Sequence, residues 1–256
     1  MNTFEKSPDS VINHYTHSGE GADEVFGGYP WFYSQESSEQ NTFPWTRRAE
    51  ERFQLYSPEL LELIKPKEYL AERFQEALAE VPRYTEDTPD DARMREMFYL
   101  NLTRWMPVLL DRKDRMSMAA GLELRVPYID HRLVEYLWNI PWEQKNYLNR
   151  EKGLLRKALE GVLPDDVLWR KKSPYPKTHN PAYLEAVRSN VLRILDDKDS
   201  PLLPFINKPS LRYFAHAVTT DTNIPWFGQL MNAPQLLAYF IQVDYWLREY
   251  NIAVKL

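Results

Sequence analysis

The chain has 256 residues, 43% of them hydrophobic and 27% charged, a balance that supports a sizeable buried core and excludes wholesale disorder. A net charge of −5 gives no general attraction to phosphate backbones or anionic membranes, so neither nucleic acid nor membrane is an expected partner. The lack of cysteine rules out disulfides, thiolate metal sites and a cysteine nucleophile within the chain.

In chain order, Met1 to Ser10 is too polar for a signal peptide, and no apolar run approaches a membrane span, so a cytoplasmic location is the expectation. Residues 11–16 read as a strand. His14 and His17 stand three apart, but no third obvious zinc ligand accompanies them. Next comes HSGEGADEVFGGYPWF, residues 17–32, which holds four of the chain's eight glycines and three carboxylates. Glycine is used where the backbone needs positive φ or must lie against something without a Cβ in the way. Residues 22–26 can form one helical turn that Gly27 and Gly28 end. Free amides at such a turn can face an anion, and Glu20 and Asp23 are near enough in sequence to share a hard cation such as Mg²⁺. The stretch is neither a Walker A loop nor an EF-hand loop. Its plainer alternative is a capped corner whose acids only complement the helix dipole.

Helices are expected over 45–64, 67–81 and 91–110. The last carries Met94, Met97, Phe98, Leu102, Trp105 and Leu109 at three-to-four-residue spacing, which reads as a core-facing stripe, with Pro107 kinking its final turns. Asn101-Leu102-Thr103 matches a glycosylation sequon but lies inside this helical pattern. A second strand is expected at 122–126, and further helices at 131–140, 152–162, 181–197, 210–218 and 234–250. Nineteen prolines mark loops between helices. The fold class is mainly α.

Two more stretches could carry chemistry. In LLDRKDRMSMAAGLELRVPYIDHR, residues 109–132, Arg125 lies between Leu124 and Val126, where a buried guanidinium needs an anion. That anion is Asp114 or Asp130, or a substrate carboxylate or phosphate. In WRKKSPYPKTHNP, residues 169–181, Pro174 and Pro176 keep Lys171 and Lys172 off a continuing helix and present them from a loop. Clustered acids, a constrained arginine and a loop lysine are together what a Mg-nucleotide reaction with a pyrophosphate leaving group requires.

Read together, Ser18 to Tyr29, Gly121 to Arg132, Lys152 to Ala158 and Trp169 to Lys172 closely resemble, in order and spacing, the synthetase domain of glutamine-hydrolysing asparagine synthetases. The resemblance implies the C-terminal helical part of an α/β PP-loop domain, adenine nucleotide α-hydrolase-like. It also implies a ligase and amidotransferase of asparagine biosynthesis, in which ATP with Mg²⁺ activates aspartate as an acyl-adenylate. Ammonia drawn from glutamine then gives asparagine and AMP. By the same resemblance, Ser18 and Gly19 lie along AMP, Glu20 sits near the reacting carboxylate and ammonia, and Asp23 holds Mg²⁺. Lys172 neutralises the leaving pyrophosphate, while Asp114 and Arg125 contact substrate or hold the site together.

The family's complete enzyme opens with a glutaminase cysteine and carries a Ser-Gly-Gly-x-Asp-Ser pyrophosphate loop, and neither sequence occurs here. Residues 1–17 are therefore expected to be an atypical or truncated segment, and 18–256 the C-terminal part of the synthetase domain. On that reading the isolated chain is inactive, glutamine or ammonia reaches it through the missing glutaminase domain, and exposed apolar area favours a homo-oligomer. Two alternatives stay open: a non-catalytic helical remnant that binds a partner, or a relative that adenylates another carboxylate for β-lactam or peptide cyclisation.

Overall fold

The computed structural model describes residues 15–34, 42–46, 48–173, 180–219, 225–226, 228 and 231–254. The fold is mainly α, and the chain divides into two compact units: residues 1–33 with 81–170, and residues 34–80 with 171–256.

In the first unit, β1 (Tyr15–His17) runs parallel to β2 (Glu123–Arg125), with Tyr15 opposite Glu123 and His17 opposite Arg125. These are the two expected strands; the earlier part of the first lies outside the described residues. The helical turn Ala22–Phe26 forms where expected and buries Ala22, Val25 and Phe26 against Leu137, Tyr128, Ile129 and Leu133.

Thr88 starts the long helical segment, accepting a hydrogen bond from the Asp91 amide at 3.2 Å, with Pro89 in the first turn. The segment runs as Pro89–Leu100, a wider π-turn at Asn101–Trp105, and Met106–Ala119. The extra residue of a π-turn gives slack in the hydrogen-bond ladder next to Pro107, which has no N–H to donate. The expected end at Leu110 is therefore overturned: the following charges continue the helix, with Arg115 Nε 2.8 Å from Asp111 Oδ1 one turn back. The apolar stripe is core, with Met94, Met97 and Phe98 buried. Asn101 of the sequon is buried, donating to the Met97 carbonyl and accepting from the Trp31 indole.

In the second unit, Pro181–Asp196 and Ala233–Glu249 supply most of one apolar cluster. Val191, Leu195, Leu237 and Phe240 lie at its centre, and Leu211 and Ala215 of the Lys208–Ala217 helix join it. The single helix expected over 45–64 is instead Ala49–Phe53 and Pro58–Ile64. Backbone pairing across the break explains the split: Ser57 donates to the Phe205 carbonyl at 3.0 Å and the Leu55 carbonyl accepts from Asn207 at 2.9 Å. Ser57 also caps the second helix, and Pro58 opens it. Among the described residues no helix is long and apolar enough to cross a membrane.

Candidate functional site

The glycine-rich turn leaves the C-terminal end of β1, the end of a parallel strand where α/β folds place ligands. The Ser18 amide extends the ladder by donating to the Arg125 carbonyl at 2.8 Å. The Ser18 hydroxyl accepts from the Glu20 amide at 3.2 Å and from Lys113 Nζ at 3.1 Å. Lys113 comes from the Met106–Ala119 helix and also lies 3.1 Å from Glu20 Oε2, with Arg112 4.0 Å from the other oxygen. The ammonium approaches Glu20 as a close ion pair without hydrogen-bond alignment, so buried Oε2 takes no hydrogen bond. One lysine thus ties the turn's hydroxyl and its first carboxylate to the helix.

Asp23 is served by a second lysine: Lys152 Nζ donates to Asp23 Oδ1 at 3.0 Å. Lys152 precedes the Gly153–Ala158 helix with φ at 55°, a left-handed conformation that a non-glycine residue holds only when its surroundings impose it. Gly153 explains part of that constraint, because a Cβ there would meet the Tyr147 carbonyl oxygen at 2.3 Å.

The glycines have separate reasons. Gly21 and Gly27 take φ of 92° and 72°, and a Cβ on either would enter Ile129 or Trp142 at 2.4 Å. At Gly28 a Cβ would meet Asp23 Oδ1 at 1.7 Å. Only Gly19 among these four faces open space, with nothing within 4 Å of its Cβ position. Three of the four glycines are therefore explained by packing inside the chain, and Gly19 is the one whose bare backbone is accessible.

Glu24 points the other way, into the interior. It is 1% exposed and accepts the Tyr29 hydroxyl, and its burial raises the carboxyl above the usual carboxylate range against the lowering effect of that hydrogen bond. Burial and the neighbouring carboxylate likewise hold the Tyr29 phenol above its ordinary range. Tyr29 stacks on Trp31, so this pair anchors the far side of the turn.

Of the residues singled out in the sequence, Ser18, Gly19, Glu20 and Asp23 share this turn. The two acids are each met by their own lysine, where the sequence suggested one shared cation. Asp114 is exposed on the Met106–Ala119 helix beside Lys113. Arg125 corrects its expectation: its side chain is 52% exposed, pairs with Glu123 at 2.8 Å and lies over the Tyr15 ring. Strand alternation puts Leu124 inward and Arg125 outward, so no buried anion is needed, and Arg125 serves the turn through its carbonyl. Asp130 pairs instead with Arg132 at 2.7 Å and caps the His131–Trp138 helix. Lys172 is half-buried at the start of the second unit. His14 and residues 174–179 lie outside the described residues.

Sequence reasoning missed Lys113 and Lys152 as partners of the turn. Lys152 sat in a motif already singled out, but its partner is 129 positions away. Among the described residues no group of three or more His, Asp or Glu gathers to hold a metal unaided.

The asparagine synthase family model matches residues 17–248. The chain is 50% identical over 237 residues to asparagine synthetase [glutamine-hydrolyzing] 3 of Bacillus subtilis, covering 93% of this chain and 38% of that protein. It is 39% identical over 95 residues to asparagine synthetase [glutamine-hydrolyzing] 1 of the same organism, covering 36% of this chain and 15% of the relative. To the asparagine synthetase [glutamine-hydrolyzing] of Homo sapiens it is 30% identical over 173 residues, 66% of this chain and 21% of the relative. The chain therefore spans well under half the length of these relatives, and by its family match and its turn it belongs to the asparagine synthase family.

Proposed function

We propose that this chain supplies part of an ATP-dependent asparagine-forming site, with aspartate as the carboxylate substrate. The observation that carries the reading is the turn after β1, which presents Ser18, Gly19, Glu20 and Asp23 together, with Lys113 and Lys152 fixing the two acids. Open space at Gly19 suits close backbone approach to the nucleotide. In the proposed step a carboxylate oxygen of aspartate attacks the α-phosphorus of ATP, and the bond to pyrophosphate breaks. Ammonia then displaces AMP from the acyl-adenylate. Glu20, braced by Lys113, orients ammonia and accepts its proton. Lys172 neutralises charge on the departing pyrophosphate, and Asp114 and Arg125 contribute at the rim.

Asp23 fits Mg²⁺, which takes one or two carboxylates and completes its shell with phosphate oxygens and water, so the lack of a closed protein cage is no obstacle. When bound, Mg²⁺ supplies charge neutralisation on the phosphates. Lys152 holds the Asp23 carboxylate in place until then. Glutamine enters as the ammonia source through a glutaminase domain, which lies outside this sequence.

The test is aspartate-dependent exchange of labelled pyrophosphate into ATP with ammonia omitted. It is run on this chain alone and on the Bacillus subtilis relative with this chain replacing its matching segment. The expected result is no exchange above background from the chain alone, and exchange in the chimera that falls about a hundredfold or more in Asp23→Asn and Lys172→Ala. Exchange in the chimera that neither substitution lowers overturns the residue assignment. Exchange driven by another carboxylate in place of aspartate overturns the substrate.

A further inference from the structure

A second feature of the first unit lies outside the turn. A cavity of about 160 Å³ is walled by Met94, Phe98, Trp138, Ile140, Pro141 and Trp142, and Lys145 reaches into it. A volume of about 150 Å³ is enough for a benzene-sized molecule. Lys145 is 3% exposed, and its ammonium lies 3.8 Å from the centroid of the Phe98 ring. That ammonium has no hydrogen-bond or ion-pair partner among the described residues.

The other charged groups lining the cavity are already engaged. Arg95 makes a two-pronged pair with Asp87 at 2.7 and 2.8 Å and donates to the Trp138 carbonyl at 3.2 Å. Asp91 accepts from Thr88 at 2.7 Å. Lys145 is therefore buried against aromatic faces, repelled by a neighbouring guanidinium and given no carboxylate. Desolvation first, and Arg95 second, hold its ammonium down to a pKa of about 7. A desolvated lysine beside another cation is the arrangement that makes an amine a nucleophile near neutral pH.

We propose that Lys145 is an amine site that captures a small carbonyl compound, an aldehyde of about benzene size, as an imine within this cavity. The Nζ lone pair attacks the carbonyl carbon and forms the C–N bond. The carbinolamine then loses its oxygen as water, the nitrogen giving up both of its protons in the overall balance: amine plus aldehyde gives imine plus water. The aromatic walls pack the aldehyde's apolar body, and no oxidant or reductant is consumed.

The probe is benzaldehyde with cyanoborohydride, which reduces the imine to a stable secondary amine that peptide mass spectrometry locates. On the folded chain at pH 7, Lys145 should be labelled at least tenfold faster than the exposed lysines, for example Lys67 and Lys157. Its rate should level off above about pH 7, while theirs continue to climb. In urea the preference should vanish. Labelling of Lys145 no faster than exposed lysines in the folded chain overturns the proposal, as does a preference that survives unfolding. A Lys145→Met variant that folds by circular dichroism should lose only the fast phase; should it not fold, the comparison of folded and urea-treated chain decides alone.

Discussion

The two units bury polar groups on different terms. In the second, Ser57, Ser200 and Asp244 are buried and each closes on a protein partner: Ser57 on the Pro204 carbonyl, Ser200 on Asp244, and Asp244 on Arg248. Around them lies one apolar cluster running from Leu55 to Phe240. In the first, Glu24 and Asn101 are paired, but Lys145 is left against rings, Glu20 keeps a buried oxygen with no hydrogen bond, and Lys152 holds a left-handed backbone. Unsatisfied or strained groups cost stability and persist where something else selects for them. Strained backbone is common to both units, since Arg48 and Lys65 of the second are also left-handed; the difference lies in the buried polar side chains, all paired among the described residues of the second unit, while the first leaves Lys145 against rings.

Truncating the second unit's centre should have the largest effect. Leu237→Ala, at a position with 0% exposure, is expected to cost about 3 kcal/mol. Hydrogen exchange should show lost protection in the Pro181–Asp196 helix with little change in the Met106–Ala119 helix. Equal loss in both would break the contrast, because the two units would then unfold as one.

Next comes pH. The ammonium of Lys145 titrates near 7 in the fold against 10.5 in the open chain, so the unfolded state binds more protons between these values and stability rises with pH across that window. The cost is fully present below pH 7 and relieved toward 10.5. From pH 7 to 9 the wild type should gain about 2 kcal/mol relative to Lys145→Met in urea denaturation. Parallel profiles for the two proteins would show that Lys145 is not held in the unfavourable setting described.

Gly28→Ala tests the turn. The added methyl collides with the Asp23 carboxylate, so a loss of about 1.5 kcal/mol is expected together with release of Lys152 from Asp23. A Lys152→Met background should then absorb part of the loss, and full additivity would mean that Asp23 moves without disturbing its lysine. The smallest effect belongs to the second unit: Asn180→Ala removes the cap on Ala182 and should cost about 1 kcal/mol by thermal melting.

Most helices were legible because their signals are local. Asn180-Pro181 and Asp130 announce caps directly ahead of the helices they start, and Phe98 and Met94 repeat at helical spacing. The break at residues 54–57 was not legible, because its cause is backbone pairing with residues 205–207. The turn's acids were visible from residue type, whereas the lysines that fix them act across 95 and 129 positions, distances over which spacing carries no information. Arg125 was misread because its two apolar neighbours were weighed without the alternation of the strand expected there, which turns Leu124 inward and Arg125 outward.

The separation between Asp23 and Lys152 also sets a schedule during translation. With 129 positions between them, and synthesis at about 5–20 residues per second, the turn emerges from the ribosome roughly 6–26 seconds before the lysine that anchors its second carboxylate. Lys113, 95 positions beyond Ser18, arrives in between. The site is thus assembled in two instalments, the first carboxylate before the second, and a nascent chain halted between Lys113 and Lys152 carries a half-braced turn.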